Sequence, residues 1–282
     1  SLLGVPDLAG VLFTGSLDTA RQIARQLAER NGAIVPLIAE TGGLNTMIVD
    51  SSALPEQVVK DAVQSAFGSA GQRCSALRVL CVQDDIAERI LPMLAGAMQE
   101  LRVGDPVDFT TDIGPVIDTE ALGRLRTHRE RMDREARRLA AVPSANASGH
   151  FFPPVAYEVD SLGQVGGEVF GPVLHVLRYD DEELDQLIDD INALGYGLTL
   201  GVHSRIENTW KRVSERARVG NCYINRNMIG AVVGVQPFGG EGLSGTGPKA
   251  GGPDYLRRLT TERTVTINTA AVGGNAHLLT LE

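Results

Sequence analysis

At 282 residues the chain can build one large domain or two moderate ones, and 43% hydrophobic with 22% charged residues is an ordinary globular balance. A formal net charge of -9 excludes a general nucleic-acid binder, which needs clustered Lys and Arg to neutralise phosphates. Cys74, Cys81 and Cys222 make no CxxC pair, the five histidines show no ligand spacing, and no apolar run of about 18 residues or signal peptide occurs. The composition therefore predicts a soluble, cytoplasmic protein with no disulfide framework, metal site or membrane span.

In chain order, Val11-Leu12-Phe13-Thr14 is a short apolar strand that ends at Gly15. Ser16 follows as an N-cap for a helix with Ala20, Ile23, Ala24, Leu27 and Ala28 on one face, closed by Asn31-Gly32. Ile34 to Ala39 reads as the next strand, completing a β-α-β unit of the kind that builds parallel sheets. The Gly15-Ser16 turn offers backbone N–H groups at a helix N-terminus, a place for a pyrophosphate.

Asn45 to Val49 is another strand, and Pro55 opens a helix through Val58, Val59, Ala62, Val63, Ala66 and Phe67. That helix delivers Gly68-Ser69-Ala70-Gly71-Gln72-Arg73-Cys74-Ser75. Gly68 and Gly71 permit a sharp turn, and a helix end plus the Arg73 cation predict a lowered thiol pKa at Cys74. Leu77 to Val82 is a buried strand with Cys81 in the core, and Asp84 to Arg102 an amphipathic helix broken by Gly104-Asp105-Pro106.

Asp118 to Ala140 reads as one helix, its Arg-rich run interleaved with Glu130, Asp133 and Glu135 as a solvated face. A loop from Val142 to Pro154 precedes a strand at Val155. Gly166-Gly167-Glu168-Val169-Phe170-Gly171-Pro172 is a tight turn presenting one acid and one aromatic. Strand Val173–Leu177, helix Glu182–Ile191, strand Leu198–Val202, helix Ile206–Ala217 and a strand from Cys222 to Asn225 continue the α/β alternation, with Cys222 structural. From Met228 to Pro253 the chain is glycine-dense. Gly240 to Gly245 matches GxGxxG by letter, but without a preceding strand it reads as a loop and not a dinucleotide fingerprint. Thr264-Val265-Thr266-Ile267 alternates with period two and predicts an edge strand that needs a partner.

Five blocks, Phe13-Thr14-Gly15-Ser16, Glu40-Thr41-Gly42-Gly43, Gly71-Gln72-Arg73-Cys74, Glu168 to Pro172 and Pro237-Phe238-Gly239-Gly240, together resemble the aldehyde dehydrogenase superfamily over almost the whole chain. Gly71 to Leu80, Asn225 to Gly234 and Gly242 to Pro253 look most like its L-glutamate γ-semialdehyde (1-pyrroline-5-carboxylate) dehydrogenases, in particular the module of the bacterial bifunctional proline utilisation A group. The resemblance implies an α/β fold: part of a parallel-sheet, Rossmann-type NAD domain (1–41), a catalytic domain (42–260), and an oligomerisation strand and tail (261–282).

It also implies roles. Cys74 is the nucleophile and Glu40 the general base. Thr14, Gly15, Ser16, Thr41, Gly42, Glu168 and Phe170 face NAD, with Gly15-Ser16 along the pyrophosphate, Glu168 on the nicotinamide ribose and Phe170 near the nicotinamide. Arg73, Ser75, Gly230, Ala231 and Phe238 bind the semialdehyde, Ser75 with the 230–231 backbone taking its α-carboxylate and Phe238 its aliphatic part. Thr41 departs from the leucine usual in that block.

The family's oxyanion asparagine, adenine-ribose lysine and first Rossmann strands precede the Phe-Thr-Gly-Ser block, which here begins at residue 13. The chain is thus expected to be a piece of a larger homo-oligomeric polypeptide, with FAD only in a proline dehydrogenase part elsewhere. Another aldehyde substrate, or a non-catalytic scaffold presenting its edge strand, are the competing readings.

Overall fold

The structure, a computed structural model, describes residues 2–143, 149–268, 270 and 277. β1 (Val11–Thr14), α1 (Leu17–Glu29) and β2 (Leu37–Glu40) form the expected β-α-β unit, its two strands parallel with Thr14 opposite Glu40. Ser16 caps α1 through its side chain, which accepts the Thr19 N–H at 3.2 Å. β2 starts three residues later than the pattern predicts. Pro36 has no N–H to give a ladder, so only its carbonyl serves, accepting from Val11 N at 2.9 Å.

β3 (Thr46–Val49), α2 (Pro55–Phe67), β4 (Val79–Gln83) and α3 (Asp84–Gln99) follow, then α4 (Thr119–Glu135), β5 (Arg137–Ala141), β6 (Val155–Val159), α5 (Leu162–Val165) and β7 (Val173–Tyr179). The chain continues through α6 (Leu184–Ala193), β8 (Tyr196–Gly197), β9 (Thr199–His203), α7 (Glu207–Arg216), β10 (Asn221–Ile224) and β11 (Glu241–Gly242). Seven strands make one sheet in the order β10-β9-β3-β4-β7-β6-β5, parallel except for β5. Its central strands are near-continuous apolar runs such as Met47-Ile48-Val49 and Val79-Leu80-Cys81-Val82, because helices cover both faces. Each side chain of this kind contributes about 1.5–3 kcal/mol of burial.

The predicted helix over 118–140 is a helix followed by a strand. Ala136 N closes α4 on Met132 O at 2.9 Å, and the next five residues turn into β5. Arg137 pairs with Glu158 and Arg138 with Asp133, so the edge carries charge, which discourages pairing with foreign strands. At the other end of the chain, residues 261–268 are exposed and, among the described residues, pair with no strand of this chain, so the edge strand predicted for 264–267 has no partner here. A period-two pattern signals a strand only where a neighbour supplies the ladder. Residues 269, 271–276 and 278–282 of the expected tail lie outside the described residues. Among the described residues no helix is long and apolar enough to cross a membrane.

Candidate active site

The site is built where β2, the end of α2 and the 166–172 turn converge. After Phe67 the chain makes a short 3-10 turn over Gly68–Gly71. The left-handed conformations fall on Ser69 (φ 57°), Ala70 (φ 53°) and Gly71 (φ 65°), and Gly68 is not among them. Two non-glycine residues in that region store strain a few residues before Cys74. Gly71 is required for a second reason: a Cβ there would run into the Gly171 carbonyl.

Cys74 is only partly buried. Asn45 Nδ2 donates to the Cys74 carbonyl at 2.6 Å and to Ala76 O at 2.9 Å, while Asn45 Oδ1 accepts from Thr199 N at 3.2 Å. One buried amide thereby ties the Cys74 loop to β9. Burial pushes the Cys74 thiol above its ordinary value; the Ser75 N–H acts against this, and the carboxylates of Glu168 and Glu40 push further up. The lowered thiol pKa expected from Arg73 is therefore wrong for this state. Arg73 is exposed, with its Nε bound to Ser69 Oγ at 3.0 Å, where water screens its charge.

Glu40 ends β2. Its Oε2 accepts the Gly240 N–H at 2.8 Å, while Oε1 is buried without a protein partner. Burial raises its pKa to about 7, against the opposing effects of the Gly240 N–H and the Lys249 charge. Gly239 and Gly245 close over the carboxyl: a Cβ on either would stand 2.9 Å from Oε1. The loop is locked by Thr41 N to Ser244 O (2.9 Å), Thr41 Oγ1 to Leu243 O (2.6 Å) and Thr246 N to Ala39 O (2.9 Å). Thr41, in place of the leucine expected in that block, thus makes a part-buried hydrogen bond.

Glu168 Oε1 accepts the Gly43 N–H at 3.2 Å and stands 3.8 Å from Arg78 Nη2. Its carboxyl lies where a Gly42 Cβ would be, so Gly42 is needed for close approach. Burial raises the Glu168 pKa, and Arg78 opposes the rise. Phe170, 46% exposed, lies over the Arg78 guanidinium, 5.4 Å from ring centre to Cζ.

The sequence leaves the Gly15 N–H free for an anion, but the structure does not: it donates to Glu40 O at 3.1 Å. Thr14, at the end of β1, and Ser16, the N-cap of α1, remain exposed. Ser75 is buried, its carbonyl 3.5 Å from Thr199 Oγ1. The loop carrying Gly230 (φ 74°) and the half-buried Ala231 packs on the end of α2 through Met228 N to Ser65 Oγ at 3.1 Å. Phe238 is bridged in both directions to Ala250, which sets Gly239 and Gly240 against Glu40.

Arg78 and Asn45 escaped the sequence reading. The signal was slight: Arg78 is a lone polar residue inside an apolar run, and Asn45 stands beside Thr46 at the head of another. A hollow of about 580 Å³ lined by Asp185, Asn208, Lys211, Arg212, Glu215 and Arg216 is a surface of paired charges and takes no part in this site.

The thiol, the two carboxylates whose charges it feels and the glycine-lined walls all fall within the span of one family profile. The aldehyde dehydrogenase family profile covers residues 1–265. The chain belongs to the aldehyde dehydrogenase family. It is 57% identical over 272 residues to the bifunctional protein PutA of Escherichia coli K12, covering 93% of this chain and 21% of that protein. It is 36% identical over 260 residues to a Geobacillus 1-pyrroline-5-carboxylate dehydrogenase, covering 90% of this chain and 50% of the relative. A crystal structure of a Bradyrhizobium japonicum proline utilization A mutant superposes with a TM-score of 0.91 at 60% identity over 96% of this chain and 28% of that one. A Thermus 1-pyrroline-5-carboxylate dehydrogenase with bound NAD gives 0.85 at 34% identity, over 92% and 50%. The chain thus spans about a fifth of the PutA relatives and half of the dehydrogenases it matches.

Proposed function

We propose that this chain forms the catalytic part of an NAD-dependent dehydrogenase that oxidises L-glutamate γ-semialdehyde, the open form of 1-pyrroline-5-carboxylate, to L-glutamate. The observation that carries the reading is that Glu168 seats against Gly42 and Gly43, just beyond Glu40, so that two carboxylates from separate elements gather at one place and both act on the Cys74 thiol. Relatives named for 1-pyrroline-5-carboxylate and proline utilisation support the substrate.

In this reading Cys74 Sγ adds to the aldehyde carbon, giving a thiohemiacetal whose oxyanion meets backbone N–H groups beside Ser75. A bound nicotinamide dinucleotide supplies the two-electron oxidation that leaves a thioester. Glu40 Oε1, without a protein partner, is placed to take a proton from the water that hydrolyses the thioester, releasing a carboxylate and the thiol. A pKa of about 7 suits a base working near neutrality.

The residues present fit the dinucleotide. The capped, exposed start of α1 suits a pyrophosphate, with Ser16 and the N–H groups behind it in place of Gly15. The partly exposed Phe170 ring offers a flat apolar face, and Glu168 an acceptor for a ribose hydroxyl. Arg73, Ser75, Gly230, Ala231 and Phe238 form the semialdehyde side, and the exposed residues 261–268 belong to the contact of a homo-oligomer. The test is NADH formation from pyrroline-5-carboxylate by the polypeptide that carries this chain. Absence of turnover, or full turnover after Cys74→Ala, contradicts the proposal.

A further inference from the structure

Arg78 is the largest completely buried side chain described, and no step above uses it. Its Nη1 donates to Gly171 O at 3.0 Å; its Nη2 donates to Arg73 O at 3.2 Å and faces Glu168 Oε1 at 3.8 Å. Phe170 lies over the guanidinium. One planar cation therefore binds the carbonyl preceding Cys74 and the turn that carries Glu168, and faces the Glu168 carboxylate.

The backbone of Arg78 is held as firmly. Its carbonyl accepts the His175 N–H at 2.9 Å and lies 3.0 Å from His175 Nδ1. His175 Nε2 is 3.0 Å from His128 Nε2, and Arg131 Nη2 is 3.4 Å from His128 Nδ1. A carbonyl can only accept and a guanidinium only donate, so the tautomers follow: Arg131 donates to His128 Nδ1, His128 Nε2–H to His175 Nε2, and His175 Nδ1–H to Arg78 O. Burial keeps both rings neutral, with pKa values pulled down to about 4 at His128 and about 3 at His175. The chain fixes Arg78 without placing a second positive charge beside it.

We infer that Arg78 is a positioning residue, clamping the Glu168 carboxylate and the chain carbonyl before Cys74 onto one guanidinium so that the two walls of the thiol site share one geometry. The inference rests on the dehydrogenase reading only for what that geometry serves. Glu168 needs such a clamp: it follows Gly166 (φ 78°) and Gly167 (φ 131°), a turn whose glycines leave the side chain free to swing. Lysine cannot replace the arginine, because a point charge on a flexible stem does not bridge three oxygens in one plane. A core residue that merely fills space would show no coupling between Arg78 and Glu168 beyond their separate effects.

The test is a double-mutant cycle read by iodoacetamide alkylation at Cys74, followed on the Cys74 peptide in the intact polypeptide with no aldehyde or dinucleotide present. Glu168→Gln removes an anion from beside the thiol and speeds alkylation about threefold in the Arg78 protein. In the Arg78→Lys background the released carboxylate no longer faces the thiol, and the same substitution changes the rate by less than about 1.5-fold. An equal factor in both backgrounds overturns the clamp. Where Arg78→Lys does not fold, Glu168→Asp carries the test in the Arg78 protein: the shorter acid leaves Gly43 and Arg78 and alkylation accelerates as for Gln. Alkylation of Glu168→Asp at the wild-type rate overturns the proposal. Because this assay needs no turnover, its failure is distinguishable from a failure to form NADH.

Discussion

The Gly240 N–H grips Glu40 Oε2 at 2.8 Å and leaves Oε1 buried and unpartnered, so one carboxylate is half held and half free. A fully hydrogen-bonded carboxylate is a poor base, and a freely solvated one titrates near 4.5. The arrangement yields a pKa of about 7 instead. Thioester hydrolysis should therefore show an acid limb near pH 7, falling tenfold per unit below it. A limb in the ordinary carboxylate range would contradict this.

The same shift has a consequence for stability. The folded state holds the Glu40 proton more tightly than the unfolded chain, so stability falls as pH rises from about 4.5 through about 7 and levels off above. Glu40→Gln removes that dependence. Its melting temperature relative to wild type should rise between pH 5 and pH 8, about the window stated, and a constant difference across it would refute the assignment.

Lys249 supplies the cation on the far side of Gly239: a Gly239 Cβ would stand 3.0 Å from Lys249 Cα and 2.9 Å from Glu40 Oε1. The Lys249 ammonium is bound to Gly220 O and lowers the Glu40 pKa, the other titratable group in this electrostatic setting being Cys74. Lys249→Met should move the acid limb upward by a fraction of a unit, while Lys249→Arg keeps it in place. A pH–rate series on both variants checks the sign.

Gly68 and Gly71 flank the strained turn and differ sharply. Gly71→Ala places a methyl on the Gly171 carbonyl at φ 65° and should cost more than about 2 kcal/mol in urea unfolding. Gly68→Ala meets nothing nearer than Ile229 Cδ1 at 3.6 Å and should stay within about 0.5 kcal/mol.

Asn45 makes three hydrogen bonds in a buried setting, so Asn45→Ala strands two carbonyls and one N–H. A loss of about 2–4 kcal/mol is expected, with kcat falling in the folded fraction because the Cys74 carbonyl is released. Unchanged stability would show that water replaces the amide.

Local chemistry carried the sequence reading where one element decides the outcome. Ser16 caps α1 as its side chain requires, and Pro55 starts the helix that delivers Cys74. What stayed hidden depends on partners distant in sequence. Gly15 looked free for an anion until β2 arrived with the Glu40 carbonyl. The Cys74 thiol looked acidic beside Arg73 until burial and two carboxylates outweighed an exposed cation. Arg138 read as helix until its backbone proved to lie in β5 opposite Tyr157 of β6, and Arg78 sat unnoticed in an apolar run because nothing local explains a buried guanidinium.

One measurement bears most directly on whether the residue-74 sulfur and the residue-40 carboxyl serve a single carbon. Glu40→Gln, given pyrroline-5-carboxylate and NAD, should release about one NADH per site and then stall, losing roughly 100-fold or more in turnover, with the acyl group found by mass on the Cys74 peptide. Continued turnover at the wild-type rate, or an adduct on any other residue, would contradict the account.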